Sequence, residues 1–266
     1  MVIGVHKGGS TALYSYLVKH GSVRPAVCKE IHFFDNNDVY SKGRGYYLRH
    51  FKTLADPADH LITGEGTPNY IRIPAVPRRV MDMFPAVKLV VTLREPATRF
   101  ESQWVGMVDR DMGEYKHSTC AGAWNYSVGL IERCMAQHAS EAKCMADLHE
   151  DGVVRSIYLH QLERWLDVAP AAQILVIQAE RLFKHTEETM QRVAAFLGIR
   201  PYTAEEIASF SDAVEGSHHL KEDKVNTCFA LKKRMDDFFA PYNARLAKLL
   251  RAHFPDVDFD EHLWRA

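Results

Sequence analysis

The sequence predicts an α/β fold in which a central parallel sheet is flanked by helices. Three runs of apolar residues are short and continuous, as in strands buried on both faces of a sheet: Met1–Val5, Lys88–Leu93 and residues 173–178. Segments with apolar residues at helical spacing lie between these runs. The first run passes through a glycine-rich turn directly into such a helix, at Thr11–Val18. Strands that alternate with helices in this way favour a parallel sheet covered on both faces.

The other helical patterns are assigned to the covering layers. They occupy residues 74–84, 155–170, 185–199 and 231–254, with Gly198 and Pro241 as stops within the last two. The segments 106–153 and 202–227 are polar and only weakly periodic. They predict long functional loops or small helices laid over the site.

Composition and charge restrict the function classes. We expect a single domain over residues 1–266, because α/β folds of this length commonly form one unit. Lysine and arginine number 33 against 34 acidic residues, which gives no support for a nucleic-acid polymer or a membrane surface as partner. No apolar run approaches the roughly 18 residues of a spanning helix, so we expect no membrane segment in this chain. The oligomeric state stays open.

The cysteines leave the compartment undecided. No C-x-x-C pair or zinc-finger spacing occurs among the five, so we expect no metal site. Cys134 and Cys144 flank a polar segment and would close a small loop by a disulfide in an oxidising compartment. Unpaired thiols in a reducing cytosol are the alternative.

The turn after the first strand has the features of an anion site. Lys7 precedes two glycines, Ser10 and Thr11, and the helix begins there. Backbone N–H groups at a helix N-terminus, with the positive end of the helix dipole, attract phosphate. A P-loop NTPase has its lysine after the glycines, next to a hydroxyl that binds Mg²⁺. The reversed order argues against a kinase, although a plain strand-to-helix turn stays possible on this stretch alone.

Several stretches together resemble the sulfotransferases that use 3′-phosphoadenosine 5′-phosphosulfate (PAPS). GVHKGGSTALYSYL at 4–17 is similar to the family's 5′-phosphosulfate loop, and VTLREPATRFESQW at 91–104 to its 3′-phosphate motif. KEIHFFD at 29–35 resembles the carbohydrate branch, which includes heparan sulfate N- and 3-O-sulfotransferases, and GEGTPNYI at 64–71 fits the same branch. FFAPYNARLAKLL at 238–250 resembles the chondroitin 4-sulfate 6-O-sulfotransferase. The resemblance implies a P-loop-like three-layer fold and covers the chain to about residue 250.

The resemblance also implies how the donor is held. Lys7 stabilises the leaving oxygen, while the 5′-phosphate is wrapped by the residues that follow it in the loop: Gly8, Gly9, Ser10, Thr11 and Ala12. Arg94 and Ser102 match the family's residues for the 3′-phosphate. Some members close a glycine- and lysine-rich loop on that phosphate near the C-terminus; here Lys221 or Lys224 takes the corresponding place.

An acceptor that attacks sulfur loses its proton, so the reaction needs a general base. The match assigns this catalytic role to Glu30. His32 competes for it, because the two side chains point to the same face of an extended segment. Alternatively, Glu30 is a solvated charge paired with Lys29.

The acceptor cleft is less defined. Lys29, Glu65, Arg72 and His6 are expected to line it, or to be ordinary surface groups. The family commonly has a lysine where this chain has Gly66, which removes one basic contact. Aromatic residues near the motifs are assigned mainly to the core: Phe33, Phe34, Tyr46, Tyr47 and Tyr70.

The function that follows is sulfuryl transfer from PAPS to a hydroxyl or amine of a carbohydrate, glycosaminoglycan-like acceptor, without a metal. A non-carbohydrate small molecule is the alternative acceptor, and a P-loop small-molecule kinase or a non-catalytic binding module the alternative class. Enzymes of this branch are often lumenal domains of Golgi proteins, which suits a trimmed N-terminus; a cytoplasmic enzyme is the alternative.

Overall fold

A computed structural model describes residues 1–51, 61–109, 119–138, 140–211, 228, 230–255, 257, 259–260 and 264. Its strands are β1 Val2–Gly4, β2 Val23–Pro25, β3 Ile62–Gly64, β4 Leu89–Leu93 and β5 Ile174–Gln178. Its helices are α1 Ser10–Leu17, α2 Asn37–Tyr40, α3 Gly43–Leu48, α4 Val76–Met83, α5 Pro96–Asp109, α6 Cys120–Gln137, α7 Glu141–Asp147, α8 Tyr158–Leu166, α9 Ala179–Lys184, α10 Thr186–Leu197, α11 Ala204–Ala208 and α12 Lys232–His253. Short 3₁₀ turns occupy Val154–Ser156 and Ala171–Gln173.

The described residues fall into two compact units. The first comprises those of Met1–Leu93 and Leu166–Ser217, and the second those of Arg94–Trp165 and His218–Ala266. The first unit contains all the strands named above, whereas the second is helical.

The first unit is built on a parallel sheet in the order β1-β4-β5. All five residues of β4 and all five of β5 are buried, as their continuous apolar sequences predict. Helices α1, α9 and α10 pack against this sheet through a shared apolar cluster that includes Leu13, Leu182 and Val193. Gly198 ends α10 in the left-handed conformation, with φ 75°. The predicted parallel sheet with flanking helices is confirmed.

The second unit has its own aromatic core. Trp124 in α6 packs edge-to-face against Phe100 of α5 and Phe239 of α12. Two disulfides anchor α6: Cys120 at its start bonds to Cys228, and Cys134 near its end bonds to Cys144. The Cys134–Cys144 bond was one of the two predicted alternatives. The Cys120–Cys228 bond was not foreseen.

Three sequence predictions need correction. The segment 106–153, predicted to form long loops or small helices, contains the 18-residue helix α6, whose buried stripe contacts the aromatic core. Pro241 does not break the C-terminal helix, which runs without interruption through it. A mid-helix proline loses one backbone hydrogen bond, and the burial of Phe239, Leu246 and Leu250 along one face offsets that loss. The strands β2 and β3 were missed.

Candidate active site

The loop between β1 and α1 leads into a helix N-terminus that no side chain caps. The N–H of Val5 donates to the Thr92 carbonyl oxygen at 2.9 Å, which joins the loop to β4. Gly9 is the N-cap of α1 at φ 88°, no side chain caps this helix, and its first turn carries no acidic residue. The helix N-terminus therefore keeps its positive end available to an anion.

Glycine is needed at each of the two positions of the loop for a different physical reason. A Cβ on Gly8 would lie 2.3 Å from Cγ2 of Val5 and 3.1 Å from the Thr92 carbonyl oxygen, so no larger residue fits. Gly9 adopts a left-handed backbone that side chains rarely take. Lys7 also has a positive φ, 66°, although it carries a side chain. Non-glycine residues in this region cluster at functional sites, because the strain is kept only where the surroundings enforce it.

Lys29 links the loop to the segment that carries Glu30. Its Nζ donates to the Thr11 Oγ1 at 3.1 Å and to Oε1 of Glu30 at 2.7 Å. The sequence analysis gave Lys29 two alternatives, a place in the acceptor cleft or an ion pair with Glu30, and the ion pair is present. The ammonium thus bridges a residue of the predicted phosphate loop and the predicted base.

The second positive-φ side-chain residue is His32, at 52°. The segment therefore turns at His32 and is not the extended strand that was predicted. The Glu30 and His32 side chains nevertheless meet, with Oε2 3.4 Å from Nε2, and Nδ1 of His32 lies 2.7 Å from Oδ2 of Asp35. Asp35 lies inside the KEIHFFD segment, yet the sequence analysis gave it no role; its spacing of three residues from His32 is the signal that was overlooked.

These contacts shift two pKa values in opposite directions. Hydrogen bonds to Asp35 and to Glu30 raise the pKa of His32 from 6.5 to about 10. The hydrogen bond from His32, with a further contribution from Lys29, lowers the pKa of Glu30 from 4.5 to about 2. At neutral pH the pair is consequently an imidazolium beside a carboxylate. A protonated imidazole has no free lone pair, which disfavours His32 as a base.

Backbone pairing holds this segment next to the sheet. The N–H of Gly66 donates to the Lys29 carbonyl oxygen at 2.8 Å, and the N–H of Val2 donates to the Glu65 carbonyl oxygen at 2.8 Å. Residues 65–66 thus join β1 on one side to Lys29 on the other. Ordinary sheet hydrogen bonding brings the predicted base toward the loop that follows β1.

Two of the residues predicted to line the acceptor cleft or to be surface groups are buried, so neither is an ordinary surface group. Glu65 is 1% exposed and Arg72 is 6% exposed. The Glu65 carboxylate accepts hydrogen bonds from Tyr47, Thr67 and Tyr70, whereas Nε of Arg72 donates to Oδ1 of Asn69 at 3.4 Å. His6 is half-buried in the loop. The core assignment of the aromatic residues holds, with only Tyr46 half-buried.

The predicted 3′-phosphate residues belong to the second unit and are described there. Arg94 is its first residue; it directly follows β4 in the chain, and its carbonyl oxygen accepts a hydrogen bond from Tyr158 Oη at 2.8 Å. The Glu95 carboxylate accepts the N–H groups of Ala97 at 3.0 Å and Thr98 at 2.7 Å, which caps α5. Ser102 is half-buried on α5. The capped start of α5 thus holds in place the backbone beside Arg94 and that of Ser102.

The two lysines predicted near the 3′-phosphate have no described position. Lys221 and Lys224 lie outside the described residues. Within the described part of the chain, no group of three His, Cys, Asp or Glu side chains has a geometry that would hold a metal ion. The described helices include none with the length and hydropathy required to cross a membrane.

Comparison with known proteins gives a consistent result. The sequence model described as "Sulfotransferase domain" matches residues 1–237. Human heparan sulfate glucosamine 3-O-sulfotransferase 5 is 29% identical over 263 residues, which cover 94% of this chain and 71% of that protein. Human heparan sulfate glucosamine 3-O-sulfotransferase 6 is 27% identical over 270 residues, with coverage of 96% and 72%.

Solved structures share the fold. A sulfotransferase from Alicyclobacillus acidocaldarius superposes with a TM-score of 0.68 at 22% identity, covering 100% of this chain and 97% of the other. Mouse sulfotransferase SULT7A1, solved in complex with PAP, gives a TM-score of 0.54 at 15% identity, with coverage of 97% and 84%. These likenesses confirm the predicted P-loop-like α/β class.

Proposed function

Because the chain belongs to the sulfotransferase domain family, we propose that it transfers a sulfuryl group from PAPS to a hydroxyl or amine of a carbohydrate, glycosaminoglycan-like acceptor, with Glu30 as the general base. The names of its relatives, which are heparan sulfate glucosamine 3-O-sulfotransferases, support a sugar hydroxyl. The solved complex of mouse SULT7A1 with PAP supports the donor.

One observation carries the proposal. A single ammonium group, Nζ of Lys29, contacts both Thr11 at the start of α1 and the carboxylate of Glu30. An anion bound at the helix N-terminus would therefore lie within one side chain of a base. Anion binding alone needs no carboxylate there, since a negative charge weakens the affinity for an anion. A proton acceptor in that position suits group transfer.

The reaction balances with these groups. The acceptor oxygen forms a bond to sulfur while the bond between sulfur and the bridging phosphate oxygen breaks, and its electron pair stays on the phosphate of the departing 3′-phosphoadenosine 5′-phosphate (PAP). The acceptor proton passes to Glu30. Lys7 neutralises charge on the leaving oxygen, and residues 8–12 wrap the 5′-phosphate, with the N–H groups of residues 9–12 as donors because that of Gly8 already donates to the Val5 carbonyl oxygen at 3.0 Å. Arg94 and Ser102 bind the 3′-phosphate, with Lys224 as a further candidate.

The low pKa of Glu30 suggests how the base is activated. With a pKa of about 2, its carboxylate is a weak proton acceptor as long as Lys29 and His32 stabilise its charge. A phosphosulfate bound at α1 competes for the Lys29 ammonium, which removes the Lys29 contribution and so raises the pKa of Glu30, while the larger contribution of the His32 hydrogen bond stays in place. Donor binding would thus prepare the base. His32 remains protonated and orients the carboxylate.

The cysteines support the proposed compartment. Two disulfides in one unit suit an oxidising environment, so we assign the enzyme to the Golgi lumen in preference to the cytoplasm.

One departure from the family's sequence pattern favours a second acceptor class. Gly66 replaces the basic residue that the family commonly has, and a small alcohol or phenol would need no such cation.

The test combines donor binding with transfer. PAP should raise the melting temperature more than ATP with Mg²⁺, and labelled sulfate from PAPS should reach heparan sulfate in preference to phenols. Glu30→Gln should reduce turnover by roughly 10²- to 10⁴-fold with PAP affinity nearly unchanged. Glu132→Gln, an exposed residue of α6, is the matched control. Preference for ATP, or an active Glu30→Gln enzyme, would overturn the respective part of the proposal.

A further inference from the structure

The segment that carries Glu30 and His32 is held by side-chain acceptors. Four consecutive backbone N–H groups, of residues 31–34, donate to two hydroxyl oxygens of the 65–70 segment. Thr67 Oγ1 accepts from Ile31 at 3.1 Å and from His32 at 3.4 Å. Tyr70 Oη accepts from the next two residues at 3.0 and 3.4 Å. Since residues 31–34 belong to no helix or strand, these bonds define their conformation.

A buried carboxylate orients both hydroxyls. Thr67 donates its proton to Oε2 of Glu65 at 2.5 Å, and Tyr70 donates to Oε1 at 2.9 Å. A hydroxyl has one proton and two lone pairs, so once its proton is committed to a carboxylate it can only accept from the backbone. Glu65 therefore sets the direction of every hydrogen bond in this group.

The Glu65 carboxylate accepts each of the hydrogen bonds that its neighbours make to it. Its carboxylate also accepts from Tyr47 Oη at 3.0 Å and from the N–H of Ile31 at 3.3 Å. Four donors thus face two oxygens, and a proton on the carboxyl group would have no acceptor. Burial raises the pKa of Glu65, and the hydrogen bonds oppose that rise by stabilising the charged form. An ionised, buried carboxylate is costly unless its hydrogen bonds are complete, as they are here.

We infer that Glu65 is a positioning residue for sulfuryl transfer: through Thr67 and Tyr70, its carboxylate holds the backbone of residues 31–34 so that Glu30 and His32 meet. The inference rests on the proposed function of Glu30 as the base. It accounts for the positive φ of His32, which costs free energy and persists only where neighbouring groups enforce it. Glu65 itself touches no reacting atom.

A merely structural role predicts a different outcome, and two tyrosines separate the two cases. Tyr70→Phe keeps the ring and removes the oxygen that accepts from the segment. Tyr202→Phe is the matched control: this tyrosine is also buried in the first unit, and its hydroxyl donates to the Tyr16 carbonyl oxygen at 3.3 Å, apart from Glu65. Both substitutions remove one buried hydroxyl, and Tyr70→Phe should lower stability more, because it leaves the N–H groups of Phe33 and Phe34 and one oxygen of Glu65 with one partner fewer.

The experiment measures kcat, KM, PAP affinity and the NMR titration of the His32 imidazole. Tyr70→Phe and Glu65→Gln should lower kcat roughly 10- to 100-fold, because the base is misplaced, with PAP affinity changed less than about threefold. The His32 titration midpoint should fall toward that of free histidine. Tyr202→Phe should stay within about twofold of the unmodified enzyme in kcat and keep the His32 midpoint.

The outcomes distinguish the two proposals. Equal kcat and an unchanged His32 titration in Tyr70→Phe and Tyr202→Phe, with Glu30→Gln inactive, would overturn the positioning role alone. A fully active Glu30→Gln enzyme would overturn the base assignment, whatever Tyr70→Phe does. If Glu65→Gln does not fold, the two tyrosine variants still decide.

Discussion

The two disulfides of the second unit should contribute unequally to its stability. They share one partner element, since Cys120 and Cys134 lie at opposite ends of α6, but they close chain segments of very different length. The Cys120–Cys228 bond spans 108 residues and the Cys134–Cys144 bond spans 10. Removing each pair in a separate Cys→Ala double variant isolates this difference.

The magnitude follows from the entropy of the unfolded chain. Cross-linking removes conformations from the unfolded state, by an amount that grows with the logarithm of the loop length. For these loops the relation gives about 4.8 kcal/mol for Cys120–Cys228 and about 2.7 kcal/mol for Cys134–Cys144 at 25 °C. The Cys120/Cys228 variant should therefore lose about 2 kcal/mol more of its free energy of unfolding.

The tryptophans make this measurement specific. The chain has four, and Trp104, Trp124, Trp165 and Trp264 all belong to the second unit. Urea unfolding followed by tryptophan fluorescence thus reports on the unit that contains both disulfides. An equal loss in the two variants, or a larger loss for Cys134/Cys144, would refute the loop-length reasoning.

Two further predictions concern the first unit. It contains no tryptophan, so its unfolding is followed by circular dichroism. Because its pKa is raised to about 10, His32 contributes stability fully below pH 6.5 and loses it as the pH rises toward 10. Urea midpoints should fall across that window, and a His32→Gln protein with the same fall would contradict the assignment. Gly8→Ala should weaken PAP binding at least about tenfold, because the new Cβ forces the loop away from Val5. Gly45→Ala, whose Cβ would meet nothing within 4 Å, should bind PAP normally, and equal affinities in the two variants would count against a tightly fitted loop.

The parts of the fold that were predicted are those with a strong local signal. Strands β4 and β5 are continuous apolar runs, and α10 ends at a glycine, so each can be recognised from a few adjacent residues. Strands β2 and β3 have three residues each and include the exposed Arg24 and Thr63. Their pairing with each other, across more than 30 residues of chain, is a tertiary effect that no local pattern carries.

The covalent framework was only half accessible for a related reason. Cys134 and Cys144 are close in sequence, so a bond between them was an evident alternative. The bond between Cys120 and Cys228 was not predicted, because the two residues lie 108 positions apart and spacing does not determine such a pairing. Cys120 lies at the start of α6, in the segment predicted to form long loops or small helices. The unrecognised length of α6 and the unpredicted Cys120–Cys228 disulfide therefore concern the same stretch of the chain.

The candidate site shows the same limit at the level of single residues. The motifs identified Lys7, Glu30 and His32 by residue type and spacing. Among the residues that the structure describes, Lys7 and His32 are also the two non-glycine residues with a positive φ. Glu65 was expected to line the cleft or to be an ordinary surface group. Which way a side chain points depends on the partner strand, and Glu65 points into a cluster of hydroxyl groups. A buried carboxylate surrounded only by hydrogen-bond donors is closed to the proton of a substrate hydroxyl, so of the two glutamates only the exposed Glu30 is compatible with the proposed role of base.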